Sequence, residues 1–153
     1  LEADLGFTRV LWLGDGLIND HTDGHVDNLA RFVAPNTLAL PRATGSADPN
    51  AAIYADARRR AEAGGVSVRE IPSPGLVTSG ERVEPASYAN FAITSALVVV
   101  PTFGSPFDAD GVAAIAELFP DRATIGLPAD AVLAGGGGFH CASQQMPRAG
   151  WRA

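Results

Sequence analysis

Arg31-Phe32-Val33-Ala34-Pro35-Asn36-Thr37-Leu38-Ala39-Leu40-Pro41 returns 59 residues later as Asn90-Phe91-Ala92-Ile93-Thr94-Ser95-Ala96-Leu97-Val98-Val99-Val100-Pro101. Phe32 and Phe91, Leu38 and Leu97, and Leu40 and Val99 share that spacing. Each stretch reads as a short strand, a polar turn and a second apolar strand. A polar loop and a helix candidate follow each. The first helix spans residues 50 to about 63, with Asn50 as N-cap and Gly64-Gly65 as the stop. The second begins near Asp108 and ends before Pro120, with Val112, Ile115, Ala116 and Phe119 at helical spacing. Short strands are expected after them, over residues 66–71 and 123–127. Gly16-Leu17 and Gly75-Leu76 repeat the 59-residue interval. The chain is therefore expected to be α/β, built from two to three copies of a ββαβ-type unit. A unit that small cannot close a core alone and needs stacked neighbours.

Composition fits one domain over residues 1–153. The apolar fraction is 46% and charged residues are 18%, which allows a core and argues against a disordered chain. Mean hydropathy is +0.10. Seventeen acidic and 11 basic residues, all arginine, leave a net charge of −6. Such a surface repels phosphate backbones, so a nucleic-acid partner is not expected. The apolar run over residues 91–103 is interrupted by Thr94, Ser95, Pro101 and Thr102 and is too short to span a bilayer, so no membrane partner is expected. Cys141 is the single cysteine, which excludes an internal disulfide framework and a multi-cysteine zinc module. A cytoplasmic location is the expectation. The chain opens on Leu1-Glu2-Ala3-Asp4 and runs straight into patterned sequence, which suggests a piece of a longer chain.

All three histidines and the cysteine fall in two short segments. In the first, Asp15, Asp20, His21, Asp23, His25 and Asp27 lie within 13 residues. His25 and Asp27 are two apart, so on an extended backbone they share a face. An imidazole beside a carboxylate suits proton transfer next to a cation site. The same residue types also suit a zinc or manganese site, or a solvated loop of turn-capping aspartates. In the second segment, Gly135-Gly136-Gly137-Gly138 precedes Phe139-His140-Cys141. A glycine run lets backbone N–H groups approach a ligand. Cys141 after it is either an activated nucleophile or a small buried hydrophobe. His140 would point away from Cys141 on a strand and is not taken as the base.

Taken together, these stretches resemble the agmatine deiminase family, the bacterial-type peptidylarginine deiminase-like group of the guanidine-modifying penteins. The matching residues are Trp12-Leu13, Gly16-Leu17, Thr22-Asp23-Gly24-His25-Val26-Asp27-Asn28, Ser87-Tyr88-Ala89-Asn90-Phe91 and Pro120-Asp121-Arg122. Gly135-Gly136-Gly137, His140-Cys141 and Gln144-Gln145-Met146-Pro147 complete the match. The resemblance implies a pentein α/β propeller of five such units, of which this chain holds the C-terminal part. It implies Cys141 as nucleophile, His25 as general acid/base and Asp27 as the carboxylate that holds a guanidinium. Asp20, His21, Asp23 and Gly136 are then candidate substrate contacts. The implied reaction is hydrolysis of agmatine or a related guanidine to a ureido product and ammonia, through an amidino-cysteine, with no metal or cofactor.

Two departures temper the resemblance. Family enzymes are much longer than 153 residues, and their second guanidinium-binding aspartate lies in a part this chain lacks. His21 stands where many agmatine deiminases have an acidic residue near the substrate's distal amine. The chain is thus expected to associate with itself or with the missing N-terminal part. The alternative is a catalytically incomplete fragment acting as a binding module.

Overall fold

Two tight strand pairs, each completed by a helix that returns the chain to the same sheet, make up most of the structure. It is a computed structural model that describes residues 6–20 and 24–146. A single helical turn, α1 (Val26–Leu29), precedes the first unit. In that unit β1 (Arg31–Ala34) pairs antiparallel with β2 (Thr37–Arg42) across a turn in which Asn36 takes φ +55°. Helix α2 (Ala51–Ala63) then crosses over, and β3 (Ser67–Pro72) lies parallel to β2. A parallel neighbour needs such a crossover, because a tight turn can only reverse the chain.

The second unit repeats the order. After a small hairpin, β4 (Thr78–Ser79) with β5 (Arg82–Val83), come β6 (Ala92–Ile93) and β7 (Leu97–Thr102), antiparallel. Helix α3 (Asp108–Leu118) leads to β8 (Ala123–Pro128), parallel to β7. A short helix, α4 (Asp130–Ala134), delivers the chain to the glycine run. The result is an α/β fold with two mixed three-stranded sheets, β1-β2-β3 and β6-β7-β8.

Burial explains why β2 reads as an unbroken apolar run. Leu38 and Leu40 join Tyr54, Ala57 and Ala61 of α2 in one core cluster. Ala39, on the opposite face, joins Ile71 in a second cluster with Phe91, Val98, Val100, Ile115 and Phe119 of the second unit. A strand covered on both sides carries apolar residues at every position. The first sheet is therefore sandwiched between its own helix and its neighbouring unit. On α2 the opposite face carries Arg58, Arg59 and Arg60, with Arg58 Nε donating to Glu62 at 2.9 Å.

The repeat is present, but its register is not 59. Arg31 faces Ala39 and Phe32 faces Leu38, whereas Ala92 faces Val99 and Ile93 faces Val98. The second strands therefore correspond at an interval of 60 and the first strands at 61. Phe32 corresponds to Ile93 and is 62% exposed; Phe91 lies outside the strand, wholly buried. Gly16-Leu17 and Gly75-Leu76 do not correspond either, since Leu17 is buried and Leu76 is exposed. A one-residue slip exchanges the faces of a strand, and four consecutive apolar residues at 97–100 hide the slip from a pattern reading. Asn50 also differs from expectation. It precedes α2 but makes no side-chain cap, and its Oδ1 accepts the N–H of Ile18 at 2.9 Å. Among the described residues, no helix is long and apolar enough to cross a membrane.

Candidate active site

Three segments meet between the units: the loop that leads into α1, the segment at 87–91, and the turn that follows α4. The first is closed at its base by Gly16 and Gly24, so close that a Cβ on Gly16 would fall on Gly24 Cα. Asp20 N–H donates to Leu17 O at 3.1 Å, and Asn50 holds Ile18. His25 then stands at the N-terminus of α1 and Asp27 within it. The pair is thus carried on a helical turn, not on the extended backbone expected.

The second segment is a turn in which Ala89 N–H donates to Ser87 Oγ at 3.1 Å. It presents Asn90, buried at 1% exposure. Beside it, Arg31 Nη1 donates to Phe91 O at 2.8 Å and the guanidinium lies 4.8 Å from the Phe91 ring centroid.

The third segment needs two of its glycines for close approach. A Cβ on Gly137 would lie 2.7 Å from Cys141 Cβ, and one on Gly138 would lie 2.5 Å from Asn90 Oδ1. The chain turns tightly there, with Ala142 N–H bonded to Gly138 O and Ser143 N–H to His140 O. In this turn His140 and Cys141 do not diverge as they would on a strand. Both converge on one oxygen. The Cys141 thiol donates to Asp27 Oδ2 at 3.2 Å, and His140 Nδ1 lies 2.5 Å from the same atom. A carboxylate only accepts, so that contact requires a protonated Nδ1.

Ligating atoms of His25, Asp27 and Cys141 all lie within 4.8 Å of one another. Such a trio can serve acid–base and nucleophilic chemistry, and it is also the set of described residues that could hold a metal ion. The charges are set by the neighbours. Burial pushes the Asp27 carboxyl up, but the hydrogen bonds from His140 and Cys141, with the two imidazoles, outweigh it and hold Asp27 below its ordinary range. Burial pushes the Cys141 thiol up and Asp27 adds to this, against the pull of N–H donors from Gly138 and Asn90; the thiol stays above its ordinary range.

Asp20 packs beneath His25. Its side chain is 1% exposed, accepts His25 N–H at 2.9 Å and Asn28 Nδ2 at 3.4 Å, and its Oδ1 lies 3.6 Å from His25 Nδ1. It lies beside the imidazole and also borders a cleft with Gly14, Asp15 and Asn19. Gly136, with φ +99°, ends α4 and lines a cleft with Ser79, Arg82 and Glu84. The glycine packed against Cys141 is Gly137, and Gly138 packs against Asn90. His21 and Asp23 lie outside the described residues. Asp27 and His140 line a different cleft of about 600 Å³ with Phe7, Val26, Phe32 and Arg31. Sequence reasoning set His140 aside and passed over Asn90 and Asn28. A buried amide inside an otherwise apolar segment, as Asn90 is, was the available signal.

The family model for Porphyromonas-type peptidyl-arginine deiminase matches residues 1–147. An agmatine deiminase of Pseudomonas putida is 34% identical over 96% of this chain and 46% of its own length. Among solved structures, a C. jejuni agmatine deiminase with substrate bound aligns with a TM-score of 0.84 at 28% identity, covering 94% of this chain and 43% of that one. An agmatine deiminase of Enterococcus faecalis aligns with a TM-score of 0.84 at 29% identity, covering 94% and 46%. The chain spans about half the length of the curated relatives it matches.

Proposed function

Since the chain belongs to the Porphyromonas-type peptidyl-arginine deiminase family, we propose that it carries the nucleophile-bearing part of a guanidine deiminase acting on agmatine or a related arginine-derived guanidine. The observation that carries this reading is the approach of His25, Asp27 and Cys141 to within 4.8 Å. A planar guanidinium needs a carboxylate beside the attacking sulfur, and Asp27 already touches that sulfur. The apolar lining from Phe7, Val26 and Phe32 suits the methylenes of an alkylguanidine.

The resting site is closed on itself, with the thiol proton directed at Asp27. An arriving guanidinium takes over the Asp27 oxygen and brings a positive charge beside the sulfur, which favours the thiolate, and the thiol proton passes to His25. The thiolate forms a bond to the guanidinium carbon. The C–N bond to one amino group then breaks, and His25 supplies the proton with which ammonia leaves. Water, deprotonated by His25, adds to the amidino-cysteine; the C–S bond breaks and the ureido product is released. The scheme uses no cofactor. Asp20 keeps His25 aimed throughout.

On this reading residues 1–153 form one partial domain of a five-unit propeller. The remaining units come from the counterpart of the relatives' other half or from a further copy. The exposed side chains of Phe7, Trp12, Val26 and Phe32 support such an association. A cytoplasmic location accords with a small-molecule substrate.

Intact-mass measurement after incubation with a haloacetamidine, a guanidine-like electrophile, tests the site. One adduct is expected, absent from Cys141→Ala, which should also form no ureido product. Ureido product at the wild-type rate from folded Cys141→Ala would sink the proposal.

A further inference from the structure

A sulfur, an imidazole nitrogen and a carboxylate oxygen meet around Asp27. The ligating atoms of Cys141, His25 and Asp27 lie within 4.8 Å of one another, and Cys141 Sγ is 3.2 Å from Asp27 Oδ2. A tetrahedral zinc ion, bonded at about 2.3 Å to sulfur and about 2.0 Å to nitrogen or oxygen, holds its ligands roughly 3.3–3.6 Å apart. The sulfur–oxygen edge already has nearly that length. The longest edge must contract by at most about 1.5 Å, which side-chain rotation supplies.

Donor type narrows the ion. Magnesium and calcium take oxygen ligands in greater number than this trio offers. One thiolate, one imidazole and one carboxylate suit zinc, with cobalt as its spectroscopic substitute. Three protein ligands leave a fourth position for water. The trio is reachable from solvent, since Cys141 is exposed and the His25 side chain is 32% exposed. The surroundings supply an outer shell. Asp20 Oδ1 lies 3.6 Å from His25 Nδ1, and a carboxylate on that side favours the tautomer whose Nε2 ligates. His140 Nδ1 donates to Asp27 Oδ2 and so orients the carboxylate. Among the described residues, no other group of three such side chains stands close enough to share an ion.

We propose that Cys141, His25 and Asp27 form a zinc-binding site, through which zinc reversibly silences the residues that attack a guanidinium. On binding, a zinc–sulfur bond forms, the thiol proton passes to solvent, and His25 and Asp27 replace waters of the hydrated ion. No electron is transferred. Zinc and guanidinium compete for one seat, because each needs the Asp27 charge and the Cys141 sulfur. The silencing rests on the proposed deiminase reading, whereas the ion site rests on the geometry.

Cobalt(II) and zinc(II) salts are the probes, added to the full 153-residue chain. One equivalent of cobalt is expected to give a sulfur-to-metal charge-transfer absorption, absent from Cys141→Ala, and zinc is expected to remove it. With free zinc at about ten times its Kd, alkylation of Cys141 by iodoacetamide should slow roughly tenfold, because only the metal-free fraction reacts, and EDTA should restore it. In His25→Ala, zinc should bind roughly 100-fold or more weaker, beyond the loss usual for an outer-shell partner. No sulfur-to-cobalt absorption in the wild-type chain, or undiminished zinc protection in His25→Ala, overturns the site. Should that variant not fold, the wild-type chain still decides. Its His25 ring resonances are expected to shift in step with zinc protection, and resonances unmoved at full protection overturn the site. Ureido formation by Cys141→Ala would instead overturn the deiminase reading while leaving the wild-type cobalt absorption intact, so the two failures are distinct.

Discussion

Asp48 and Asp27 are both largely enclosed carboxylates that accept several hydrogen bonds, yet their partners differ in kind. Asp48 takes the backbone N–H groups of Thr44 at 3.2 Å and Asn50 at 3.0 Å, together with Ser73 Oγ. Asp108 stands at the same corner of the second unit, between strand and helix, and takes Phe103 N–H at 3.2 Å and Tyr88 Oη at 2.7 Å. Their donors have no role in proton transfer near neutral pH. Asp27 belongs to neither repeat, takes the ring of His140 and the thiol of Cys141, and lines a cleft. The repeating fold uses a carboxylate to close a corner. The site is where a carboxylate outside that repeat is turned onto groups that can exchange protons.

Asp48→Ala should separate the two roles most sharply. It leaves buried donors on Thr44, Asn50 and Ser73 unsatisfied. The expected loss is about 3 kcal/mol of stability, read by urea unfolding. A loss well under about 1 kcal/mol would show that the corner does not depend on it. Asp27→Asn should do the reverse. Unfolding should barely change, while haloacetamidine labelling slows roughly 30-fold or more, about 2 kcal/mol, because the cation loses its charged partner. In the same variant the alkylation midpoint of Cys141 with neutral iodoacetamide should move down, since Asp27 is one of the groups that push the thiol up. Labelling by both reagents falling together would indicate collapse of the site instead.

The smallest effect concerns His140. Its hydrogen bond helps to hold Asp27 below the ordinary carboxylate range. In His140→Ala the Asp27 carboxyl should rise by less than about one pH unit, read from the NMR titration of its side-chain carboxyl. An unmoved titration would mean that His140 does not tune Asp27.

Much of this was legible in the chain. Residues 50–63 and 108–119 read as helices from their spacing and stops, and helices α2 (Ala51–Ala63) and α3 (Asp108–Leu118) follow them closely. The α/β order was likewise legible, because strand and helix differ in hydrophobic period over windows of only a few residues. His25, Asp27 and Cys141 were singled out because rare, chemically active residues clustered in two segments. The repeat interval was misread by one to two residues, since an apolar run such as Leu97-Val98-Val99-Val100 has no internal phase. The hydrogen bond from His25 N–H to Asp20 was not legible, because a lone sequence cannot say which aspartate is buried.

Local order, then, was written in the sequence by itself: repeated ββαβ-type units, their crossover helices, and two segments rich in acid–base and nucleophilic side chains. Local backbone preference and hydrophobic period act between near neighbours, and both can be read along the chain. Only the tertiary structure decided that Asp27 and His140, 113 residues apart, would share a hydrogen bond, and that Asn90 would stand between Asn28 and Cys141. Those contacts depend on how the two sheets pack through Ala39 and Ile71, and on a glycine turn tight enough to bring adjacent side chains together. Packing of that kind is set by shape across the whole core, which no short stretch of residues encodes.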